Sequence, residues 1–207
     1  MGIVHRATLT PSKQELVEAW LPSQPWADGR TVSEKVAEYR FDDPAGEVGV
    51  ETILWRTDDG SLVQTPLTYR SAPLEGAEPH LVGTADHSVL GPRWVYDGCA
   101  DPVWAATLTG AILTGASQAQ MYIEQDGERV DLPARMQVRG SGSTDADVPR
   151  VDAVDTVNHE GSLTEVVAGP VALTVARVVG SPVEGDDTLS GSIGDQELGA
   201  LAGLRRA

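Results

Sequence analysis

Cysteine is almost absent from the sequence, which has one thiol, Cys99, among 207 residues. A single cysteine excludes an internal disulfide framework and fits a reducing compartment. Long apolar runs are missing too, since none approaches the roughly 20 residues that a membrane-spanning helix requires. The opening segment, MGIVHRATLT, lacks the apolar stretch of a secretory signal. We therefore expect a cytoplasmic protein that does not enter a membrane.

Basic residues are also scarce. Fifteen lysines and arginines stand against 31 aspartates and glutamates, which gives a formal net charge of −16, and Lys13 and Lys35 are the only lysines. So acidic a chain repels nucleic acids and anionic lipid surfaces before contact is made. We expect neither as a partner, whereas a neutral sugar or another protein is compatible with this charge.

Motifs for binding phosphates and metals are missing as well. Neither standard glycine-rich phosphate loop occurs, and GSGSTDAD lacks the lysine and the following helix that a phosphate cradle requires. The four histidines, at positions 5, 80, 87 and 159, have neither the spacing of a helical zinc motif nor a cysteine pair beside them. We predict no cofactor and no metal site.

Two segments carry a cap residue followed by proline, a pattern that begins many helices. In TPSKQELVEAWL, Thr10 is the expected N-cap and Pro11 the first helical residue, with an apolar stripe that extends to Trp20. In DPVWAATLTGAILTGAS, Asp101 and Pro102 play the same parts. The second helix is nearly uncharged, so we expect it to be buried.

Most of the other segments alternate apolar and polar residues between turn signals, which is typical of strands. Residues 35–70 are predicted to form a three-stranded antiparallel meander, with a hairpin turn at Asp59–Gly60, and a second hairpin is predicted to turn at Asp126–Gly127. Strands and helices do not alternate, so the pattern predicts an α+β fold in which an antiparallel sheet of hairpins packs on two helices. Residues 162–179 are predicted to form a small strand pair after it.

The segment Gly83–Trp104 concentrates residue types used in catalysis, among them His87, Asp97 and Cys99. One hypothesis is therefore a small hydrolase or transferase with its site in this segment. The sequence neighbours of His87 cannot form a triad with it, because successive side chains of a strand point to opposite faces. No signature of a cysteine hydrolase surrounds Cys99, so we favour a small packed side chain just ahead of a helix cap.

Aromatic residues are unevenly used, with five tryptophans and one phenylalanine. Trp20 and Trp104 lie on the apolar faces of the predicted helices and are assigned to the core. The flat faces of the others suit stacking on sugar rings, so an α-glucan-binding module is a further hypothesis. The candidate ligand-binding residues are Trp26, Trp55, Trp94, His87 and Asp97.

Several long segments, in one order, extend over about residues 5–179. They are LVEAWLPSQPWADGR, then TDDGSLVQTPLTYR, then LVGTADHSVLGPRWVYDGCADPVWAATLTGAILTG, and last PRVDAVDTVNHEGSLTEVVAGPVALTVARVV. Together they resemble the N-terminal cap domain of actinobacterial maltokinases and the stand-alone proteins similar to it. The first segment is similar to the opening helix and Trp-loop-Gly-Arg element of that family, and the last to the link into the kinase small lobe.

The resemblance implies a cystatin-like cap, a curved antiparallel sheet against helices, at the amino end of a kinase that phosphorylates maltose with ATP and magnesium. In those kinases the strand similar to VALTVARVV carries a lysine that contacts the ATP phosphates. Here that position holds Thr174, which cannot supply the charge. The sequence also lacks the catalytic loop and the magnesium-binding aspartate of the kinase large lobe. The resemblance therefore implies a non-catalytic accessory or binding protein in α-glucan or trehalose metabolism.

Three regions are expected along the chain. They are a cap-like α+β domain over residues 1–139, a flexible Gly/Ser-rich linker over residues 140–150, and a β-rich extension over residues 151–207 that resembles the first strands of a kinase small lobe and ends in an acidic, Gly-rich tail. A cap that packs on a kinase lobe presents one apolar face. We therefore expect a protein partner or self-association through that face, with a carbohydrate as a further candidate ligand.

Overall fold

Strands dominate the part of the chain that the computed structural model describes, which comprises residues 2, 3, 8–125 and 128–206. The two α-helices within it are α1 (Lys13–Trp20) and α2 (Pro102–Thr114). The strands are β1 (Gly2–Ile3), β2 (Leu9–Thr10), β3 (Val32–Asp42), β4 (Gly49–Thr57), β5 (Leu62–Arg70), β6 (Leu81–His87), β7 (Gly91–Asp97), β8 (Met121–Gln125), β9 (Glu128–Asp131), β10 (Gln137–Gly140), β11 (Thr156–Glu160), β12 (Leu163–Ala168), β13 (Val171–Ala176), β14 (Asp187–Ile193) and β15 (Gln196–Arg206). Neither helix is long and apolar enough to cross a membrane.

Two six-stranded antiparallel sheets account for most of these strands. The first has the order β2-β6-β7-β5-β4-β3 and contains the predicted meander as β3, β4 and β5. The second has the order β10-β14-β15-β13-β12-β11. A curled antiparallel sheet with two helices confirms the predicted α+β class. A separate small strand pair is not confirmed, because β12 and β13 pair as two members of this larger second sheet, to which the acidic tail adds β14 and β15.

A third, small sheet has the order β1-β8-β9. Strands β8 and β9 pair antiparallel, as the second predicted hairpin requires. Its predicted turn, Asp126–Gly127, lies outside the described residues.

Helix α1 begins two residues later than the sequence pattern predicts. Thr10 is not the N-cap, because it pairs with Asp86 as the end of β2 and is therefore extended. Ser12 caps the helix instead: its Oγ accepts the N–H of Glu15, while Glu15 Oε2 accepts the N–H of Ser12 at 2.8 Å. This reciprocal capping box satisfies two backbone donors of the first turn.

Helix α2 begins as predicted. Asp101 is its N-cap and accepts the N–H of Val103 at 2.9 Å, and Arg70 donates two further hydrogen bonds to the same carboxylate, each at 2.7 Å. The helix ends at Gly115, whose φ of 67° is the left-handed conformation that glycine adopts without strain. Most of the helix is buried, as its lack of charge predicts.

The first sheet lies between two apolar clusters, and so β4 and β5 are buried on both faces. On one face, Ile53 and Leu67 pack with α1 and Trp26. On the other, Leu54 packs in a cluster that contains α2 and the apolar face of the second sheet. Successive side chains of a strand point to opposite faces, so a strand buried on both faces carries buried residues at consecutive positions. Such strands lie at the centre of a layered fold.

Backbone and side-chain bonds join the two large sheets at β5. Val63 forms a β-bridge with Val178, just beyond the end of β13. Next to it, Gln64 Nε2 donates to the carbonyl oxygens of Ala176 at 2.6 Å and Leu201 at 2.7 Å. The side chain of Gln64 is buried, so both bonds are made away from water and hold the second sheet in one position on the first.

The start of the predicted linker lies against α2. The N–H of Gly140 donates to the carbonyl oxygen of Ala116 at 3.0 Å, and the N–H of Gly142 donates to that of Ile112 at 3.0 Å. Strand β10, which precedes the segment, is part of the second sheet. The division of the chain into three regions stays a prediction.

We predict opposite effects for two glycine-to-alanine changes. Gly140→Ala places a Cβ 2.6 Å from the carbonyl oxygen of Ile112, where backbone must move, and should lower the free energy of unfolding by about 1–3 kcal/mol. Gly110→Ala, within α2, places a Cβ in open space and should raise it by about 0.5–1 kcal/mol. Urea unfolding followed by tryptophan fluorescence measures both. Equal stability of the two variants would contradict the close packing at residue 140.

Candidate functional site

The residues singled out from the sequence do not converge on one open site. Trp26 and Asp97 do come together in the interior, where both contact Arg177. Trp55 and His87 form hydrogen bonds elsewhere, and Trp94 lies in β7 opposite Arg70 of β5.

Arg177 is completely buried at the junction of the two large sheets, directly after β13. Its Nη2 donates to Asp97 Oδ2 at 2.5 Å and its Nε donates to Thr164 Oγ1 at 2.7 Å. The guanidinium carbon lies 4.7 Å from the centroid of the Trp26 ring, a cation–π geometry. We call Arg177, Asp97, Thr164 and Trp26 the Arg177 cluster.

The ion pair stabilises the charged form of Arg177. Burial by itself lowers the pKa of Arg177, but the carboxylate of Asp97 outweighs burial and raises the pKa above its ordinary value. Within the described residues, Arg177 Nη1 and Trp26 Nε1 have no hydrogen-bond partner. The guanidinium is therefore held by Asp97, Thr164 and the ring rather than by a complete network, and loss of Asp97 would leave its charge uncompensated.

Cys99 lies beside this cluster in a short turn, Gly98–Ala100, that links β7 to α2. Its N–H donates to Asp97 Oδ1 at 3.2 Å, and its side chain is fully buried. Burial raises the pKa of the thiol well above its ordinary value, and the nearby charge of Arg177 offsets this only in part. A protonated and inaccessible thiol is a poor nucleophile. The prediction of a small packed side chain is confirmed, and cysteine catalysis is disfavoured.

His87 lies at the far end of the hairpin from Asp97. It pairs with Gly91 at the tip, and its Nδ1 accepts the N–H groups of Val89 and Leu90 at 3.2 and 3.1 Å. Strand β7 runs from Gly91 to Asp97, and at about 3.3 Å per residue its two ends are roughly 20 Å apart. The structure therefore does not combine His87 with Asp97 or Cys99 in a catalytic arrangement.

The other candidates differ in exposure. Trp55 is buried in the cluster beneath α1, and its Nε1 donates to Thr65 Oγ1 at 2.8 Å. Trp94 is half-buried on β7. Thr174 is half-buried at the centre of the second sheet, paired with Glu165 and Gly203. Of the three tryptophans proposed to bind a sugar, Trp26 and Trp55 are buried and Trp94 is only partly so.

A second polar cluster, which sequence analysis missed, lies between α1 and the first sheet. The carboxylate of Glu51 is buried, and Lys13 Nζ and the hydroxyl of Tyr69 bind it at 2.7 and 2.8 Å. Burial by itself raises the pKa of Glu51, but the charges of Lys13 and Arg40 and the two hydrogen bonds outweigh burial and lower it to about 2. The same cluster raises the pKa of Tyr69, chiefly through burial.

The sequence does carry a signal for both buried clusters. Arg177 interrupts the apolar run VALTVARVV, and Glu51 occupies the same face of β4 as Ile53 and Trp55. A charged residue at a core position indicates a buried partner of opposite charge. The sequence does not indicate which residue that partner is, because Asp97 lies 80 positions from Arg177.

An open recess follows the outward face of α2. It has a volume of about 550 Å³ and a mainly apolar lining, and we call it the α2 groove. Its lining residues are Phe41, Asp42, Asp43, Pro44, Pro102, Val103, Ala106, Thr107, Gly110, Ala111, Ala116, Val148, Val151 and Asp152. A smaller recess of about 370 Å³ adjoins it, sharing Pro102 and Asp152. The α2 groove is open to solvent, whereas the Arg177 cluster is closed to it.

Comparison with known proteins finds a family model that matches part of the chain. The model of the maltokinase N-terminal cap domain matches residues 20–101, about two fifths of the chain. No curated protein matches the sequence. The resemblance that the sequence motifs predict is thereby confirmed over β3 to β7 and the turn that carries Cys99.

We predict that Asp97→Asn lowers the free energy of unfolding by about 3–5 kcal/mol, because it leaves a buried guanidinium without its counter-charge. Asp97→Asn combined with Arg177→Met should cost less than the sum of the two single changes, since the uncompensated charge is gone. The exposed pair of Arg150 and Asp152 provides the control, and Asp152→Asn should cost less than about 1 kcal/mol. Urea unfolding at pH 7 checks all four variants, and equal costs for Asp97→Asn and Asp152→Asn would contradict the role of the buried pair.

We predict that Glu51 contributes to acid sensitivity. Its pKa falls from an ordinary value of 4.5 to about 2 on folding. The ionised carboxylate therefore raises the free energy of unfolding above pH 4.5, and this stabilisation is lost as the pH falls toward 2. The loss amounts to about 3 kcal/mol. Unfolding free energies measured between pH 3 and 6 should fall less steeply with acid in Glu51→Gln than in the wild type. The exposed Glu47→Gln serves as control, and an identical slope in Glu51→Gln and the wild type would overturn the assignment.

Proposed function

We propose, from the match of residues 20–101 to the maltokinase N-terminal cap domain, that this chain is a non-catalytic binding module that resembles the regulatory cap of a maltokinase. The matched segment supplies five of the six strands of the first sheet, together with Asp101, which caps α2. The observation that carries the proposal is that the matched residues coincide with five strands of one sheet.

The position of the reactive groups supports a role in binding rather than catalysis. Cys99 and Asp97 are enclosed at the Arg177 cluster, and His87 belongs to the opposite end of its hairpin. Thr174 stands where the resembling kinases carry the lysine that contacts ATP, and a hydroxyl does not neutralise phosphate charge. Phosphoryl transfer depends on such charge neutralisation. We propose that the chain has no kinase activity of its own.

The biological setting and the finer fold description follow from the resemblance. We place the module in α-glucan or trehalose metabolism, with a cystatin-like cap over residues 1–139 and a β-rich extension over residues 151–207. Its partner is a protein that packs on an apolar face, as a kinase lobe packs on a cap. The α2 groove is an apolar surface suited to such a contact.

A carbohydrate-binding role is the second candidate, and the half-buried Trp94 favours it. Aromatic faces bind sugars by stacking, which requires an accessible ring. Titration with maltose, trehalose and glycogen, followed by tryptophan fluorescence, distinguishes the two roles. A response that disappears in Trp94→Phe would favour the glucan-binding module, and no response in either protein would favour the protein-binding module.

The decisive experiment is a phosphotransfer assay. The purified chain is incubated with ATP, magnesium and either maltose or glucosamine, and an active maltokinase serves as the positive control. We expect no sugar phosphate above the level of the buffer blank. Product above that level would show that the chain is a kinase and would overturn the proposal. A hydrolase or transferase activity on another substrate that is lost in Cys99→Ala would instead support a site in Gly83–Trp104.

A further inference from the structure

The α2 groove has features that define its ligand more narrowly than a cap-like role does. We propose that it binds an amphipathic helix of a partner protein that presents apolar residues to the groove and lysine or arginine residues to its rim. The inference deepens the proposed function, since it rests on the chain being a protein-binding module, and it names the surface and the chemistry of the partner.

The floor of the groove is apolar and open because α2 presents small side chains there. Val103, Ala106, Thr107 and Gly110 line it and are all half-buried. The hydroxyl of Thr107 donates to the carbonyl oxygen of Val103 at 2.6 Å, so its hydrogen bond is made within the helix. The floor therefore offers methyl groups and backbone, and few polar groups that a partner must satisfy.

Gly110 shows most clearly that other parts of the described chain do not fill the space above the floor. A glycine inside a helix costs about 0.5–1 kcal/mol relative to alanine. No part of the described chain requires it, because a Cβ added at Gly110 meets no atom within 4 Å. The contrast with Gly140, where a Cβ would meet the backbone of α2, shows that Gly110 faces space that the described chain leaves empty. Such space permits the close approach of another helix.

The rim of the groove is acidic. Together with the adjoining recess it carries five carboxylates and, among the described lining residues, no lysine or arginine. These acidic residues are Asp42, Asp43, Glu75, Asp152 and Asp155. Asp43 accepts backbone N–H groups and interacts electrostatically with Arg70, Asp155 accepts a backbone N–H group, Asp152 pairs with the exposed Arg150, and Asp42 is also engaged within the chain. The described lining itself still contains carboxylates and no lysine or arginine beside the apolar floor. Complementarity requires a positively charged partner.

This charge decides between a second copy and another protein. Two chains that each carry a net charge of −16 would bring their acidic rims together, which repulsion opposes. A helix from a different protein avoids that repulsion if it is basic. Helix α2 has 13 residues and is about 20 Å long, a length that about 14 helical residues match. Apolar anchors at i, i+3, i+4 and i+7 form the stripe that such a groove accepts.

The test uses two synthetic peptides of about 14 residues, composed of leucine, alanine and lysine and labelled with a fluorophore. In one the leucines form a single helical stripe, and in the other the same residues are scrambled so that no stripe forms. Fluorescence anisotropy with the full chain measures both affinities. We expect the striped peptide to bind at least about tenfold more tightly than the scrambled one, and more weakly as salt is added.

Two pairs of variants locate the binding. Gly110→Trp fills the groove and should weaken binding of the striped peptide by at least about tenfold, and Gly110→Ala, which adds a single methyl group to the floor, should weaken it less. Asp152→Lys changes the rim and should weaken binding. Asp195→Lys makes the same charge change at an exposed residue outside both recesses and should weaken binding less. Circular dichroism checks that each variant is folded, and the exposed Asp152 keeps the test valid if Gly110→Trp does not fold.

Three outcomes would overturn the inference. They are equal affinity for the two peptides, equal effects of Asp152→Lys and Asp195→Lys, and a wild-type dimer in light scattering that Gly110→Trp dissociates, which would identify a second copy as the occupant. These results are independent of the phosphotransfer assay. Sugar phosphate formation would overturn the proposed function without changing peptide binding, and a failure of peptide binding would leave the lack of kinase activity as proposed.

Discussion

The buried ion pair between Arg177 and Asp97 is the interaction on which the rest of the structure depends. It connects the end of β13 in the second sheet with the end of β7 in the first, across 80 positions of sequence. The turn that follows Asp97 holds Cys99 in the core and leads to the cap of α2, while Trp26 stacks on the same guanidinium. The two sheets meet at this ion pair, so each would have an unpaired charge in its interior without the other.

Local sequence signals predicted the elements that local interactions determine. Asp101 and Pro102 specify the start of α2 through bonds within one turn, and the meander follows from alternation and a glycine turn. Thr10 was wrong as a cap, because its pairing with Asp86 is a contact between distant residues. Strands β14 and β15 were missed because they are rich in glycine. Gly191 and Gly203 lie there where a Cβ would meet Leu201 and the backbone of Glu184, so these glycines reflect close packing rather than flexibility.

For the candidate site, the sequence identified important residues but not their relationships. Trp26 and Asp97 were singled out as ligand-binding candidates and prove to be neighbours, yet their common partner is a guanidinium from the far end of the chain. The sequence does not single out Glu51, because it is one of 31 acidic residues. The sequence does not predict the α2 groove either, for another reason. Its walls come from β3, α2 and the segment around Val151, and only the tertiary fold brings these together.

The enclosed thiol of Cys99 has a practical meaning for studies of this protein in solution. A thiol reagent reaches it only when the junction of the two sheets opens, because the side chain has no exposed surface in the folded state. When closing is fast, the labelling rate reports the population of that open form, and hence the free energy of opening at a single defined position. Cys99 is thus an intrinsic probe of local opening at this junction. Because it is the single cysteine, no label has to be engineered and no second thiol has to be removed.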